Sequence, residues 1–283
     1  MSGAQVLLEG VAFGKSPRWR DGRLWFSDWG AQEIVAVDEE GNKEAIVRVE
    51  FPAFPMCIDF AADGGLLVVA GRDGRLLRRE PDGSLGNYAD LNRLSASPWN
   101  DIVVDGAGNA YVDNIGFDFP GGQFAPGTVA LVSPDGTARQ VADGLAFPNG
   151  MAITSDDGTL IVAESYAERL TAFEIDDDGG LRDRRVWAET PGDHPDGICL
   201  DSDGAVWYAD VGNRHCVRVG EGGEVLDTVE CDRGCFACAL GGADGRTLFI
   251  VAQEWGGPES MRQGARTGQV LAVRAPAPRA GRP

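Results

Sequence analysis

The sequence predicts an all-β protein: a six-bladed β-propeller of four-stranded blades, with the N-terminal strand closing the last blade. The first observation behind this is a repeat. A glycine-containing turn followed by an apolar strand recurs at Gly22, Gly64, Gly108, Gly158, Gly204 and Gly245, with gaps of 42, 44, 50, 46 and 41 residues by subtraction. Repeats of about 40–50 residues with four strands each mark propeller blades. The second is composition: 40 glycines in 283 residues suit many tight turns, and no long helical pattern interrupts them. The third lies at the ends. The sixth repeat is one strand short, and AQVLLEG, from Ala4, precedes the first full repeat and can supply that strand. Such closure leaves no open seam in the ring.

The elements follow in order. The turn-and-strand units read DGRLWFSD from Asp21, DGGLLVVAG from Asp63, GNAYVDN from Gly108, DGTLIVAES from Asp157, DGAVWYAD from Asp203 and DGRTLFIVA from Asp244. Asp-Gly supplies the positive φ that a tight hairpin needs. Further strands follow, such as EIVAVDEEG from Glu33 and LLRREPDGS from Leu76, and GQVLAVRA from Gly268 ends the sixth repeat. No linker separates the repeats, so residues 1–283 form a single propeller domain, with 275–283 a loose Pro-rich tail.

Charge narrows the function. The net charge of −19 and pI of about 4.4 oppose nucleic acid and anionic membranes as partners, because both need a basic face. The expected partner is a small-molecule substrate, and the expected assembly a monomer or small homo-oligomer. MSGAQVLLEG lacks the basic and apolar regions of a secretory signal, and no apolar run has membrane-spanning length. The expected location is the cytoplasm. There the six cysteines are read as free thiols, Cys231, Cys235 and Cys238 as buried ones rather than a zinc site.

The first strand of a propeller blade lines the central channel. Aligning the repeats on their turns puts Lys15, Met56, Asn100, Asn149, Asp196 and Phe236 at equivalent strand entrances. Each Asn-Gly or Asp-Gly pair alone reads as a turn. Together, two amide oxygens and a carboxylate converging on one axis suit a hard cation such as Ca²⁺. Lys15 brings a positive charge to the same ring.

Four motifs, SPRW from Ser16, WNDIVVD from Trp99, FPNGMAIT from Phe147 and PDGICLD from Pro195, resemble those of the regucalcin/gluconolactonase/luciferin-regenerating-enzyme family. The resemblance covers about residues 5 to 273. It implies a six-bladed propeller that binds one divalent cation, Ca²⁺ or Zn²⁺, at the channel mouth and hydrolyses lactones. By resemblance, Asn149 and Asp196 match metal ligands, and Asn100 a third ligand or a substrate contact. The family's remaining ligand is a glutamate, and Lys15 stands in its place. Pro98 replaces an arginine that sugar lactonases use to hold substrate.

The expected activity is therefore a lactonase or esterase-type hydrolase, with Asp196, Lys15 and Asn100 as catalytic residues. Asp196 is the candidate base; Asp101 and His194 are further candidates. Either a cation polarises the carbonyl, weakly held because of Lys15, or the Lys15 ammonium takes part of its place beside Asp196, Asn100 and Asn149. The alternatives are a metal-free enzyme using Lys15 in acid/base or cyclisation chemistry, and a non-catalytic small-molecule-binding propeller. Met56, Trp99, Phe117, Phe119, His194 and Phe236 are the candidate substrate-binding residues, joined by Phe124, Trp29 and Trp255. NIGFDFPGGQFAPG from Asn114 and EWGGPESMRQGARTG from Glu254 are read as loops that shape the pocket.

Overall fold

The structure, a computed structural model, describes residues 3–257 and 265–283. Strand β1 (Gln5–Val11) is followed by β2 (Gly14–Arg20), β3 (Arg23–Asp28), β4 (Glu33–Val37) and β5 (Lys43–Arg48), the first blade. The second holds β6 (Met56–Phe60), β7 (Leu66–Ala70), β8 (Arg75–Arg79) and β9 (Leu85–Asp90). The third holds β10 (Trp99–Val104), β11 (Ala110–Asn114), β12 (Gly127–Val132) and β13 (Ala138–Leu145). The fourth holds β14 (Pro148–Ile153), β15 (Thr159–Glu164), β16 (Arg169–Ile175) and β17 (Leu181–Glu189). The fifth holds β18 (Pro195–Leu200), β19 (Val206–Asp210), β20 (His215–Val219) and β21 (Val225–Glu230). In the sixth, β22 (Gly234–Gly241), β23 (Thr247–Gln253) and β24 (Gly268–Arg274) are completed by β1.

The predicted six-bladed propeller is thus the observed architecture. Closure follows the expected route: β1 pairs antiparallel with β24, from Gln5 opposite Ala272 to Val11 opposite Gly268. Strands β10, β14, β18 and β22 are buried along their whole length, whereas outermost strands such as β13 and β21 are mostly exposed or half-buried. The apolar core therefore lies between neighbouring sheets. Trp99 and Ile102 of the third blade, for example, pack in one cluster with Met56 and Ile58 of the second. No helix among the described residues is long and apolar enough to cross a membrane.

A local irregularity shapes the channel mouth. In five blades the first strand carries a β-bulge just after its start, between Lys15 and Arg18, Trp99 and Ile102, Pro148 and Met151, Pro195 and Ile198, and Cys235 and Ala237. A bulge leaves a residue unpaired and re-aims its side chain. Asn100, Asn149, Asp196 and Phe236 lie within these bulges. The pairing of β6 with β7 is regular throughout.

The Asn-Gly and Asp-Gly pairs of the fourth and fifth blades accordingly sit in bulges, not in turns. Their glycines let neighbouring first strands touch. A Cβ on Gly150 would lie 2.5 Å from the Asp196 carbonyl oxygen, and one on Gly197 would lie 2.5 Å from the Ala237 Cβ.

The C-terminal segment corrects an expectation. Residues 275–283 are not loose: Ala275 and Ala277 are buried, and the chain is stitched across three blades. Its backbone bonds Gly245 through Arg279, Ser202 through Pro278, Leu200 through Ala280 and Ile153 through Arg282. Proline removes some donors from this segment, but the intervening N–H groups and carbonyls find partners at the far ends of the inner strands. Arg282 adds an ion pair to Asp157 at 3.0 Å. The cysteines are free, as expected; Cys199 and Cys238 place their sulfurs 3.8 Å apart between the last two blades.

Gly150→Ala should destabilise the fold by about 2 kcal/mol, because its Cβ meets backbone that cannot give way. Gly158→Ala should cost much less: its nearest neighbour is the Asp156 side chain, at 3.3 Å. Urea unfolding midpoints read the difference, and equal losses at both positions would contradict the close-approach argument.

Candidate active site

The bulged strand entrances converge on one cavity of about 320 Å³. Lys15, Asn100, Asn149 and Asp196 form its polar floor. Lys15 is only 6% exposed, and its Nζ donates to an oxygen of Asp196, to Asn149 Oδ1 at 3.4 Å and to the Phe236 carbonyl at 3.2 Å. Three N–H groups thus meet three oxygens from three different blades. Asn100 Nδ2 donates to the same Asn149 oxygen at 3.4 Å. The Asn149 amide is held from behind, donating to Ser165 Oγ at 3.3 Å, and that hydroxyl donates to the Pro195 carbonyl at 2.7 Å.

A second layer fixes where these strands begin. Asp28, at the end of β3, accepts from the backbone N–H groups of Ala12 and Phe13, just ahead of Lys15. Asn114, ending β11, donates to the Ser97 and Pro98 carbonyls ahead of Asn100. Glu164, ending β15, accepts from Ala146 N–H ahead of Asn149. Asp210, ending β19, accepts from His194 N–H ahead of Asp196. The same device recurs in four blades, and its signal stands in the sequence: each of these repeat strands ends in a polar residue, where an apolar one would continue the core. These residues position the floor and do not touch the cavity contents.

Charge explains the floor's state. Burial works against an ammonium at Lys15, but the neighbouring Asp196 carboxylate, helped by Cys57 and Asp101, outweighs it and raises the lysine above its ordinary pKa. Burial pushes Asp196 up to about 6, with Lys15 holding it down from a higher value. Near neutral pH the two form an ammonium–carboxylate pair; as pH falls through about 6, Asp196 takes a proton and Lys15 remains charged.

Asp101 faces away from this floor, into the channel beneath it. It lies 3.5 Å from Arg18 Nη2 and 3.5 Å from Ser16 Oγ. Arg18 also pairs with Asp59 at 3.6 Å. Burial raises the Asp113 carboxyl well above its ordinary range; its Oδ1 accepts from Asp101 N–H and its Oδ2 has no partner among the described residues.

The expected divalent cation meets an obstacle in this arrangement. The oxygens of Asn149 and Asp196 that would bind it are already turned onto the Lys15 ammonium. A divalent ion about 4 Å from that charge would be repelled by roughly 8 kcal/mol at an effective dielectric constant near 20. The floor as it stands does not fit such an ion. Elsewhere among the described residues, Asp193, Asp210 and His215 bring ligand atoms within 4.8 Å of one another. Those carboxylates already accept from Tyr208, Asn213 and backbone N–H groups.

Of the predicted substrate contacts, Phe119, His194 and Phe236 line the cavity, while Met56, Trp99 and Phe117 do not. Met56 heads the one first strand without a bulge, so its side chain stays in the core between the blades. Trp99 precedes the bulged Asn100 and points the opposite way, fully buried. Phe117 lies behind the wall, 5.7 Å from the Phe147 ring and 6.2 Å from that of Phe119. Trp29 and Trp255 do line the cavity. Sequence reasoning missed Phe13, Phe54, Phe147 and Tyr166, which also line it. Phe147 opens the FPNGMAIT motif, and Phe13 and Phe147 each stand two residues before a floor position, Lys15 and Asn149; that proximity was their signal. Of the two pocket loops, the first contributes Ile115 and Phe119. The second runs partly through 258–264, outside the described residues, and contributes Trp255.

The floor's electrostatics can be measured directly. Carboxyl NMR of the native protein should show Asp196 titrating near pH 6, and in Lys15→Met it should titrate higher, because the charge that held it down is gone. An ordinary carboxylate titration in both proteins would contradict this picture.

The sequence profile of the SMP-30/Gluconolactonase/LRE-like region matches residues 13–254. The chain is 27% identical over 261 residues to a pentonolactonase, XacC, of Haloferax volcanii, covering 88% of this chain and 86% of that one. It is 27% identical over 289 residues to a 6-deoxy-6-sulfogluconolactonase of Pseudomonas putida, covering 98% and 96%. A solved structure of regucalcin from Agrobacterium tumefaciens, described as a calcium-binding protein, superposes with a TM-score of 0.81 at 19% identity, over 99% of this chain and 95% of that one. With its profile matched across most of its length, the chain belongs to the SMP-30/gluconolactonase/LRE-like family.

Proposed function

We propose that the protein is a hydrolase that opens a lactone, or cleaves a related ester, without a divalent cation. The observation that carries this reading is the Lys15–Asp196 ion pair, with Asn100 and Asn149 beside it, on the floor of a cavity walled mainly by aromatic groups. The lactonase names of its relatives support the reaction class. The ammonium supplies the positive charge that a metal ion would bring to the carbonyl.

The step balances with groups already in the cavity. The 3.4 Å contacts to Asn149 Oδ1 are the longest on the floor, so the substrate carbonyl oxygen displaces them most easily. There it accepts from Lys15 Nζ and from Asn100 Nδ2. Water attacks the carbonyl carbon as its proton passes to the Asp196 carboxylate. Negative charge builds on the carbonyl oxygen, where the ammonium is already placed to meet it. Collapse breaks the bond to the ring oxygen, and Asp196 returns the proton to the departing alkoxide. The product is a hydroxy acid, or an acid and an alcohol. A base with a pKa of about 6 is half-ionised just below neutrality and is stronger than an ordinary aspartate, which favours this role.

Lys15→Met and Asp196→Asn should each lower kcat by about 10²- to 10³-fold on whichever lactone the protein hydrolyses. Activity of the native enzyme should survive exhaustive chelation. Activity that disappears with chelator and returns with Ca²⁺ or Zn²⁺ would overturn the metal-independent reading.

A further inference from the structure

The cavity has two aromatic walls facing each other across the floor. One is built from the first, second and sixth blades. Phe13 stacks on Trp29 at 5.3 Å and 19°, meets Phe236 edge-on at 4.9 Å, and Phe236 meets Trp255 at 5.4 Å. The other comes from the third and fourth blades. Phe147 lies 4.7 Å from Tyr166 and 5.1 Å from Phe119. Among the described residues every ring contact joins members of the same wall, and both walls line the one cavity, which forms a slot between them. Tyr166 lines the cavity and is 50% exposed, so its ring is open both to solvent and to a ligand.

The charged and amide groups are gathered on the floor beneath this slot, and the lining adds only two other small polar side chains, His194 and Ser165, whose hydroxyl is committed to the Pro195 carbonyl. A polyhydroxylated ring seated there would turn several hydroxyls toward aromatic faces and lose their water without replacement partners. A planar apolar group would instead gain stacking and edge contacts on both sides. The volume of about 320 Å³ is at the small end of ligand pockets, suiting a lactone ring with one aryl group rather than a long chain.

We propose that the slot between the Phe13–Trp29 and Phe147–Tyr166 walls is an aryl-recognition subsite, and that the substrate is an aryl-fused or aryl-substituted lactone or ester. The hydrolytic reading above sets which end of that molecule meets Lys15; the subsite itself rests on the walls. Phe119 and Tyr166 are its specificity-determining residues on the exposed side.

Binding and turnover separate the two ideas. Calorimetric titration should show dihydroquinolinone, a non-hydrolysable aryl lactam, binding at least 10-fold more tightly than δ-valerolactam. Tyr166→Ala and the milder Phe119→Leu should each shrink that ratio several-fold, with thermal melting confirming that both variants are folded. In turnover, Tyr166→Ala should raise KM for dihydrocoumarin far more than it changes kcat. Equal affinity for the two lactams, or hydrolysis of δ-gluconolactone with kcat/KM equal to that for dihydrocoumarin, would overturn the aryl subsite and leave the hydrolase reading standing. Selective lactam binding with no hydrolysis of any lactone would support the subsite and sink the hydrolase reading instead.

Discussion

The ion pair between Lys15 and Asp196 is the constraint on which the functional half of this propeller depends. Two opposite charges, each less than a tenth exposed, sit where the blades meet. Burying either alone would be costly, and removing one partner would leave the other uncompensated. The floor is therefore built to serve both charges. Bulges aim Asn149, Asp196 and the Phe236 carbonyl at one ammonium, and Asp28, Glu164 and Asp210 hold the chain just upstream of those positions. Burial leaves Asp196 titrating higher than an ordinary aspartate, and that shift suits a base.

The ring also explains why the site can be so exact at the end of such regular strands. Inner strands are buried on both faces and pressed together at Gly150 and Gly197, so the channel mouth has little freedom to adjust. The C-terminal segment ties the opposite ends of the fourth, fifth and sixth blades together. Specificity then falls to the loops and rims, where Phe119, Tyr166 and Trp255 stand.

Much of this could be read in the sequence because propeller blades repeat. The six glycine turns gave the blade count, and AQVLLEG found its partner strand at Gly268. Lys15, Asn100, Asn149, Asp196 and Phe236 were placed on the channel mouth by alignment alone, and they line the cavity together. The misses at Met56 and Trp99 share one physical root: side-chain direction in a strand depends on pairing, not on count. Met56 aligned perfectly but lacks the bulge that turns its counterparts inward. Trp99 and Phe117 have the right chemistry and point into packing. The proline-rich end looked unstructured because its partners, Gly245, Ser202, Leu200 and Ile153, are scattered through the chain and no local pattern announces them.

Replacement of a metal ion by the Lys15 ammonium is the central claim, and metal content tests it most directly. Native protein and Lys15→Glu, purified alike and dialysed against Ca²⁺ and then against buffer, should differ in bound calcium. The native floor should retain well under one equivalent, and the variant, with its added carboxylate oxygens and no competing charge, about one. A native protein that keeps a full equivalent of divalent ion at this floor would contradict the claim outright.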